Sequence, residues 1–220
     1  MTVSISCSPS DDARVFRNVF RERIMRPTQF RSRAATEFFV SCKCEIAIPT
    51  HQQLLRYALQ QASLEPSVHA IHYQPGPEIN CPRVSLRGVV LHRLDGRFLL
   101  HACEARPERS DDEDARLKYA LKRHGLRLFE RDGPDIRREP LFSNARLIWS
   151  YAGYNVSLAD RLRIAIALED GGPQSVLELE ERARPSCDIF AAVCALACEN
   201  LIRLNVHYAP LGLRTIVLGQ

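Results

Sequence analysis

The chain has 220 residues, of which 45% are hydrophobic and 25% are charged, and this is ordinary globular composition. It contains no run of about 18 apolar residues, so we expect no membrane-spanning helix and no membrane partner. No basic segment followed by an apolar run opens the chain, so no secretory signal is expected. We therefore expect a cytoplasmic protein whose eight cysteines stay reduced.

The net charge of +4 hides an uneven distribution of charge along the chain. Residues 14–43 carry eight Arg or Lys residues against two acids, whereas residues 157–199 carry four arginines against eight acids. Of the 30 basic residues, 27 are arginines, whose planar guanidinium can bind a phosphate with two hydrogen bonds. The basic segment at residues 14–43 predicts contact with nucleic acid, and the acidic segment at residues 157–199 favours a different partner. A compositional bias of the genome would also explain the arginines.

The first 33 residues divide into two parts. Residues 1–12 are polar, Ser-rich and aperiodic, which predicts a disordered tail. From residue 13 onward, arginines alternate with apolar and aromatic residues, which is typical of a short basic helix followed by an arm that contacts a phosphate backbone. The predicted DNA-contacting residues in this part are Arg14, Arg17, Arg21, Arg31 and Arg33. A solvated helix docked by its apolar side is the alternative.

A helix and a hairpin follow. Apolar residues spaced three and four apart predict a helix over Thr50–Ser63, which Glu65-Pro66 ends. Two apolar runs, Val84–Leu91 and Phe98–Cys103, then flank Asp95-Gly96, and this dipeptide favours a two-residue hairpin turn. The pattern therefore predicts two antiparallel strands after the first helix.

An acid and a base stand directly after the hairpin. Glu104 and Arg106 are two residues apart, so strand alternation predicts that both side chains lie on one face of the sheet. We take Glu104 as a candidate metal ligand and both residues as candidate catalytic groups.

The next segment is predicted to be a crossover unit. Ser110 and Glu113 have the spacing of a capping box at the start of a helix, and Gly125 follows its last residue, His124. Leu126–Glu130 alternates as a short strand. A strand, a helix and a strand in this order predict that the two strands are parallel.

After Gly153 the pattern changes to helices followed by a hairpin, and we place a domain boundary there. The predicted elements are helices at Ser157–Glu169, Ser175–Ala183 and Ser186–Glu199 and strands at Leu201–Tyr208 and Thr215–Leu218. Three helices and a two-stranded wing indicate a winged helix-turn-helix. The third helix has no Lys or Arg, and its predicted outer positions are Asp188, Ala191, Ala195 and Glu199. Such a surface would repel phosphate, so protein contact or packing is favoured for this helix.

The residues after the hairpin resemble a known nuclease motif. Glu104-Ala105-Arg106-Pro107 is similar to the Glu-x-Lys-Pro motif of nucleases of the PD-(D/E)XK superfamily. Three further segments, Ile48–Arg56, Glu65–Pro75 and Glu139–Arg146, resemble in the same order the segments of TnsA-like endonucleases, the strand-cleaving partners in heteromeric transposases. The resemblance covers roughly residues 25–218.

The resemblance implies an α/β fold: a restriction-endonuclease-like mixed sheet with flanking helices, plus a C-terminal winged helix-turn-helix domain. The implied division is a tail at 1–12, a nuclease-fold domain with a basic arm at 13–153, and a winged-helix domain at 154–220. The family further implies a transposase or an ATPase as partner protein, which we assign to residues 157–220.

The family's metal-binding pattern is incomplete in this chain. Its helical Glu matches Leu55, and its Asp matches Leu86-Arg87-Gly88, so Glu104 and Arg106 remain. A register two residues earlier matches the family's Glu and Lys with Ala102 and Glu104. Since two carboxylates must ligate Mg²⁺ for hydrolysis, we expect no cofactor and assign Arg87 to phosphate binding.

The sequence therefore favours a catalytically impaired nuclease-fold protein that binds DNA or scaffolds a transposase-type complex. Two alternatives stay open. One is an active Mg²⁺-dependent DNA endonuclease that uses Glu104 with Asp95 or Glu78. The other is a protein-binding regulator without DNA contact.

Overall fold

A four-stranded mixed sheet lies at the centre of the first half of the computed structural model, which describes residues 37–74 and 88–220. The chain reaches this sheet through a short antiparallel pair of strands. The strands are β1 Glu37–Phe39, β2 Ile48–Thr50, β3 Val68–Gln74, β4 Gly88–Arg93, β5 Gly96–Cys103 and β6 Arg127–Asp132. In the sheet, β3 pairs with β4 and β4 with β5 in antiparallel fashion, whereas β5 and β6 are parallel.

The predicted hairpin is present, but its turn lies one residue earlier than predicted. Arg93 pairs with Gly96, so Leu94 and Asp95 form the two-residue turn. Gly96 opens β5 with a φ of +137°, a conformation that a residue with a side chain rarely adopts. A Cβ at Gly96 would also lie 2.8 Å from the guanidinium of Arg127. Of the predicted first strand, residues 84–87 lie outside the described residues.

The crossover prediction is confirmed. Ser110 caps α2, Asp111–Arg123, and the capping box is complete: the Ser110 Oγ accepts from the Glu113 amide at 3.3 Å, and the Glu113 carboxylate accepts from the Ser110 amide at 3.0 Å. After Gly125, which has a φ of +63°, the chain enters β6 parallel to β5.

Helices cover both faces of the sheet. One face packs against α1, Gln53–Leu64, which starts three residues later than the predicted Thr50. The cluster on this side contains Ile48, Leu59, Ile71, Leu91, Leu100 and Ile136. The other face packs against α2, through Val90, Leu99, Leu117, Leu121 and Leu126. Two shorter helices follow β6: α3, Gly133–Ile136, and α4, Leu141–Ser150.

Residues 157–220 form helices around a small antiparallel sheet. The three predicted helices are confirmed, as α5 Leu158–Gly171, α6 Val176–Ala183 and α7 Ile189–Cys198. The sheet has the order β7-β9-β8, with β7 Gln174–Ser175, β8 Ile202–Leu204 and β9 Ile216–Gly219. The strand β7 was not predicted, and β8 is shorter than the predicted Leu201–Tyr208.

The predicted outer face of α7 is wrong at Ala191 and Ala195, whereas Asp188, the N-cap of the helix, is exposed as predicted. Ala191 and Ala195 are only 2% and 1% exposed, because α7 is surrounded by α1, α4, α6 and β8. The Cys198 thiol donates to the carbonyl of Ile148 in α4 at 3.5 Å, and Ile148 belongs to the same apolar cluster as α7. In this arrangement α7 has no face with which to enter a DNA groove.

Several predictions concern segments outside the described residues. They are the disordered tail at 1–12, the basic arm at 13–33 and the positions of Arg87 and Glu78. The boundary between residues 153 and 154 stays a prediction. None of the described helices is both long and apolar enough to cross a bilayer.

Candidate functional site

Glu104 lies just beyond the end of β5, and its carboxylate already has a cationic partner. The guanidinium of Arg137, which follows α3, donates two hydrogen bonds to the two carboxylate oxygens at 2.8 and 2.9 Å. The Glu104 carbonyl accepts from the amide of Gly133 at 3.2 Å, which fixes the backbone beside α3. Hydrogen bonding to Arg137 holds the pKa of Glu104 below its ordinary value. The negative charge that a metal would need is therefore shared with Arg137.

Arg106 forms ion pairs with two aspartates. Its Nε lies 2.9 Å from a carboxylate oxygen of Asp132, and its Nη2 donates to Asp135. The hydrogen bond to Asp135 and the charge of Asp132 raise the pKa of Arg106 above its ordinary value. Because β5 ends at Cys103, the strand alternation that predicted a shared face for Glu104 and Arg106 does not extend to them. Each residue instead joins its own ion pair.

The positions that should hold the other acids on the α1 side are apolar. Leu55 packs, partly buried, against the apolar cluster beneath α1, and Ala102 from β5 packs against the same cluster. Gly88 begins β4, whereas Leu86 and Arg87 lie outside the described residues. Of the described residues that match the nuclease pattern, Glu104 alone carries a carboxylate.

Asp95 and Glu104 lie far apart along β5. Asp95 lies in the turn before β5 and Glu104 after its end, and an eight-residue strand between them spans about 25 Å. Asp95 also lies 3.5 Å from the Nε of Arg93 and 3.4 Å from the Nη2 of Arg127. Asp95 and Glu104 therefore lie at opposite ends of β5, and Glu78, the other acid of the endonuclease alternative, lies outside the described residues.

A second polar cluster lies on the face of the sheet that α2 covers. His101 of β5 stands opposite Glu130 of β6 in the parallel ladder, and the His101 Nδ1 lies 2.8 Å from a carboxylate oxygen of Glu130. Arg109 donates to the same carboxylate at 3.0 and 2.5 Å. These bonds, first that from Arg109, lower the pKa of Glu130, while burial raises the pKa of the neighbouring Cys103 thiol. Sequence reasoning missed this cluster.

Two aromatic rings and an arginine pack together near Arg137. The rings of Tyr57 in α1 and Phe142 in α4 pack edge to face, with centroids 5.0 Å apart. The guanidinium of Arg146 lies over both rings, 5.7 Å from the Tyr57 centroid and 5.5 Å from that of Phe142. Tyr57 also contributes, after Glu104, to the raised pKa of Arg137. The two groups of side chains are therefore close enough to interact electrostatically.

Neither protein families nor curated proteins supply a relative for this chain. No protein-family model matches it, and no curated protein matches it significantly. The likeness to TnsA-like endonucleases thus rests on the sequence segments given above.

Proposed function

We propose that this protein is a non-cleaving, TnsA-like nuclease-fold protein that holds DNA, or scaffolds a transposase-type complex, without hydrolysing the strand. The coarse architecture supports this proposal, since a mixed sheet lies between helices on both faces. The observation that carries the absence of cleavage is the bidentate bond between Glu104 and Arg137.

The residues at this site do not fit a Mg²⁺ ion. Mg²⁺ gives up its waters reluctantly, and it needs several charged oxygens to replace them. Leu55 and Ala102 offer none, Arg137 neutralises Glu104, and the neighbouring Asp132 and Asp135 are both paired with Arg106. A guanidinium about 4 Å from a divalent cation would cost several kcal/mol at an effective dielectric constant of about 20. We therefore expect no Mg²⁺-dependent hydrolysis of DNA at Glu104.

DNA binding is proposed on charge and on stacking surfaces. The sequence assigns phosphate contacts to the basic arm and to Arg87, outside the described residues. Among the described residues, the Arg146 guanidinium over the Tyr57 and Phe142 rings is a combination that suits stacking with bases and contact with phosphates. Arg146 offers a positive charge on the side of α4 that faces α1.

Plasmid nicking with Mg²⁺ and with Mn²⁺ tests the absence of cleavage. We expect no nicking above the level of a buffer control with either metal. Nicking by the wild-type protein that disappears in Glu104→Ala would overturn this part of the proposal. Glu180→Ala, an exposed acid of α6, is the matched control for the loss of one carboxylate.

A salt series tests DNA binding separately. Affinity for a duplex should fall steeply with salt, with a logarithmic slope of about −0.9 for each phosphate contacted. Replacing the five arm arginines (Arg14, Arg17, Arg21, Arg31 and Arg33) by Ala should weaken binding and flatten that slope. Replacing Arg182 and Arg184 in the acidic region by Ala should do neither. No binding at low salt would reject the DNA part and favour a regulator that binds protein alone.

A protein contact through residues 157–220 is the second candidate function. The helix α5 exposes three large apolar side chains on one side: Leu158, Leu162 and Ile166, which are 72%, 55% and 56% exposed. Exposed apolar residues at helical spacing are typical of a surface that binds another helix. Co-expression with a transposase or an ATPase subunit tests this, since Leu162→Asp should reduce complex formation and Arg163→Ala should leave it unchanged. Equal binding by both variants would exclude α5 as the contact.

A further inference from the structure

The geometry points to a binding site for a thiophilic divalent metal, of the Zn²⁺ type, formed by His101, Cys103 and Glu130. One nitrogen, one sulfur and one oxygen from these three side chains all lie within 4.8 Å of one another. Among the residues that the structure describes, no other place brings three or more His, Cys, Asp or Glu side chains so close together. These three residues lie on the face of the sheet that α2 covers, whereas Leu55 and Ala102 pack on the α1 side, so the site shares no residue with the nuclease pattern.

The strands themselves place the three ligands. His101 and Cys103 are two residues apart in β5, so their side chains leave the same face of the sheet. Glu130 is the direct neighbour of His101 in β6. A site built on paired strands is held more firmly than one built on loops, because the ladder hydrogen bonds fix the backbone positions.

The kinds of ligand atom select the metal. An imidazole nitrogen and a thiolate are poor ligands for Mg²⁺ and Ca²⁺, which prefer oxygen, whereas Zn²⁺ accepts His, Cys and Glu together. With bonds of about 2.0–2.3 Å in a tetrahedral arrangement, the ligand atoms would lie about 3.3–3.8 Å apart. The three ligand atoms now lie within 4.8 Å of one another, so the most distant of them must approach by about 1 Å. Three protein ligands leave a fourth position for water or another ligand.

Charge balance also favours a divalent cation. The Cys103 thiolate and the Glu130 carboxylate together carry two negative charges, which match the charge of the metal. On binding, the Cys103 thiol proton passes to the buffer, and His101 presents an unprotonated ring nitrogen. No oxidation or reduction is involved.

Arg109 is the group with which the metal competes. Its guanidinium donates to the Glu130 carboxylate, and its side chain is only 9% exposed. Its Nε is nevertheless buried without a hydrogen-bond partner, so the present arrangement leaves one donor unsatisfied. Arg109 precedes α2 in a segment without regular secondary structure, so it can withdraw without disturbing β5 or β6. We therefore expect Arg109 to weaken metal binding.

Titration of the reduced, full-length protein with Co²⁺ tests the site, because a cobalt–thiolate bond gives an intense near-ultraviolet band. We expect this band to saturate at one equivalent and to be abolished by excess Zn²⁺. It should be absent in Cys103→Ser and strongly reduced in His101→Ala. Cys44→Ser, which removes a thiol elsewhere in the fold, is the control that should keep it.

Arg109→Gln should strengthen Co²⁺ binding, whereas the ligand variants weaken it. This variant therefore distinguishes the proposed site from adventitious cobalt binding. Removing the two charge-assisted hydrogen bonds that must break when the metal binds Glu130 should tighten Co²⁺ binding by about tenfold. In the wild-type protein, Zn²⁺ should also slow alkylation of Cys103, measured by mass spectrometry of the labelled peptide, and this does not depend on the folding of any variant. A band that persists in Cys103→Ser, or alkylation of Cys103 at the same rate with and without Zn²⁺, would overturn the proposal.

Discussion

The side-chain amide of Asn144 in α4 forms three hydrogen bonds with the segment before β9. Its Nδ2 donates to the carbonyls of Val206 and Ala209 at 2.9 and 2.8 Å. Its Oδ1 accepts from the backbone amide of Leu211 at 2.9 Å. Asn144 is buried, so removal of its amide would leave three backbone groups without a partner. We predict that Asn144→Ala lowers the free energy of unfolding by about 3 kcal/mol. Urea denaturation of the two proteins measures this change in the free energy of unfolding.

The neighbouring Ser143 provides the control for this prediction. Its hydroxyl donates to Glu139 at an exposed position, so Ser143→Ala should change the free energy of unfolding by less than about 1 kcal/mol. Equal losses in the two variants would mean that the Asn144 bonds are not the source of the effect.

Two leucines in helices test where the core lies. Leu59 of α1 is fully buried beneath the helix, whereas Leu158 at the start of α5 is 72% exposed. Leu59→Ala should cost about 2–5 kcal/mol, because it removes buried apolar atoms and leaves a cavity. Leu158→Ala should stay within about 0.5 kcal/mol of the wild type. A small loss at Leu59 in urea denaturation would contradict the packing of α1 on the sheet.

The capping serine of α2 can be tested in the same way. The Ser110 Oγ accepts from the amide of Glu113, so Ser110→Ala should cost about 1 kcal/mol. Ser110→Asp should restore most of this loss, because an aspartate can accept the same bond and is favourable at a helix N-terminus. Thermal unfolding of the three proteins measures the difference. If Asp fails to rescue, the hydroxyl acts through a contact other than the cap.

Asp160 should make the stability of the protein depend on acid pH. Its carboxylate accepts hydrogen bonds from the amide and hydroxyl of Ser186 at 2.9 and 2.8 Å and from the hydroxyl of Ser157 at 2.9 Å. These hydrogen bonds lower the pKa of Asp160 to about 2, and the bond from the Ser186 amide has the largest effect. A pKa depressed by folding stabilises the fold above the unfolded value of about 3.9. That contribution is lost as the pH falls through about 2.

The variant Asp160→Asn isolates this effect. Compared with the wild type, it should be less stable at pH 7, and the difference in free energy of unfolding should shrink between about pH 4 and pH 2. Urea denaturation across this range measures the difference. Asp170→Asn, at an exposed position of α5, is the control. A difference that does not change with pH would show that the charge of Asp160 does not stabilise the fold.

Short-range signals in the sequence predicted the local structure well. The spacing of Ser110 and Glu113 fixes a helix start through bonds that form within four residues. The parallel pairing follows because the helix between β5 and β6 returns the chain to the end of the sheet where β5 began. The turn was misplaced by one residue because Asp95-Gly96 is a common turn pair, whereas here Gly96 supplies its positive φ as the first residue of β5.

Contacts between distant residues were not predicted. Arg137 is 33 residues from Glu104, and no local pattern pairs them. His101 meets Glu130 because of the register of two parallel strands, which periodicity cannot give. The outer face of α7 was misassigned because this helix is apolar on all sides, so Asp188 and Glu199 mark its ends and not a solvent-facing side. An amphipathic pattern would have been needed to identify such a side.

The contact between Cys198 and Ile148 has a consequence for how the chain opens. Since α7 is enclosed by α4 and its neighbours, its backbone amides cannot reach water through a local fluctuation of one helix. The amide hydrogens of α4 and α7 should therefore exchange with solvent at similar, slow rates, whereas those at the exposed start of α5 near Leu158 should exchange far sooner. A protease that attacks only opened states would accordingly spare the segments holding Ile148 and Cys198 until both helices separate.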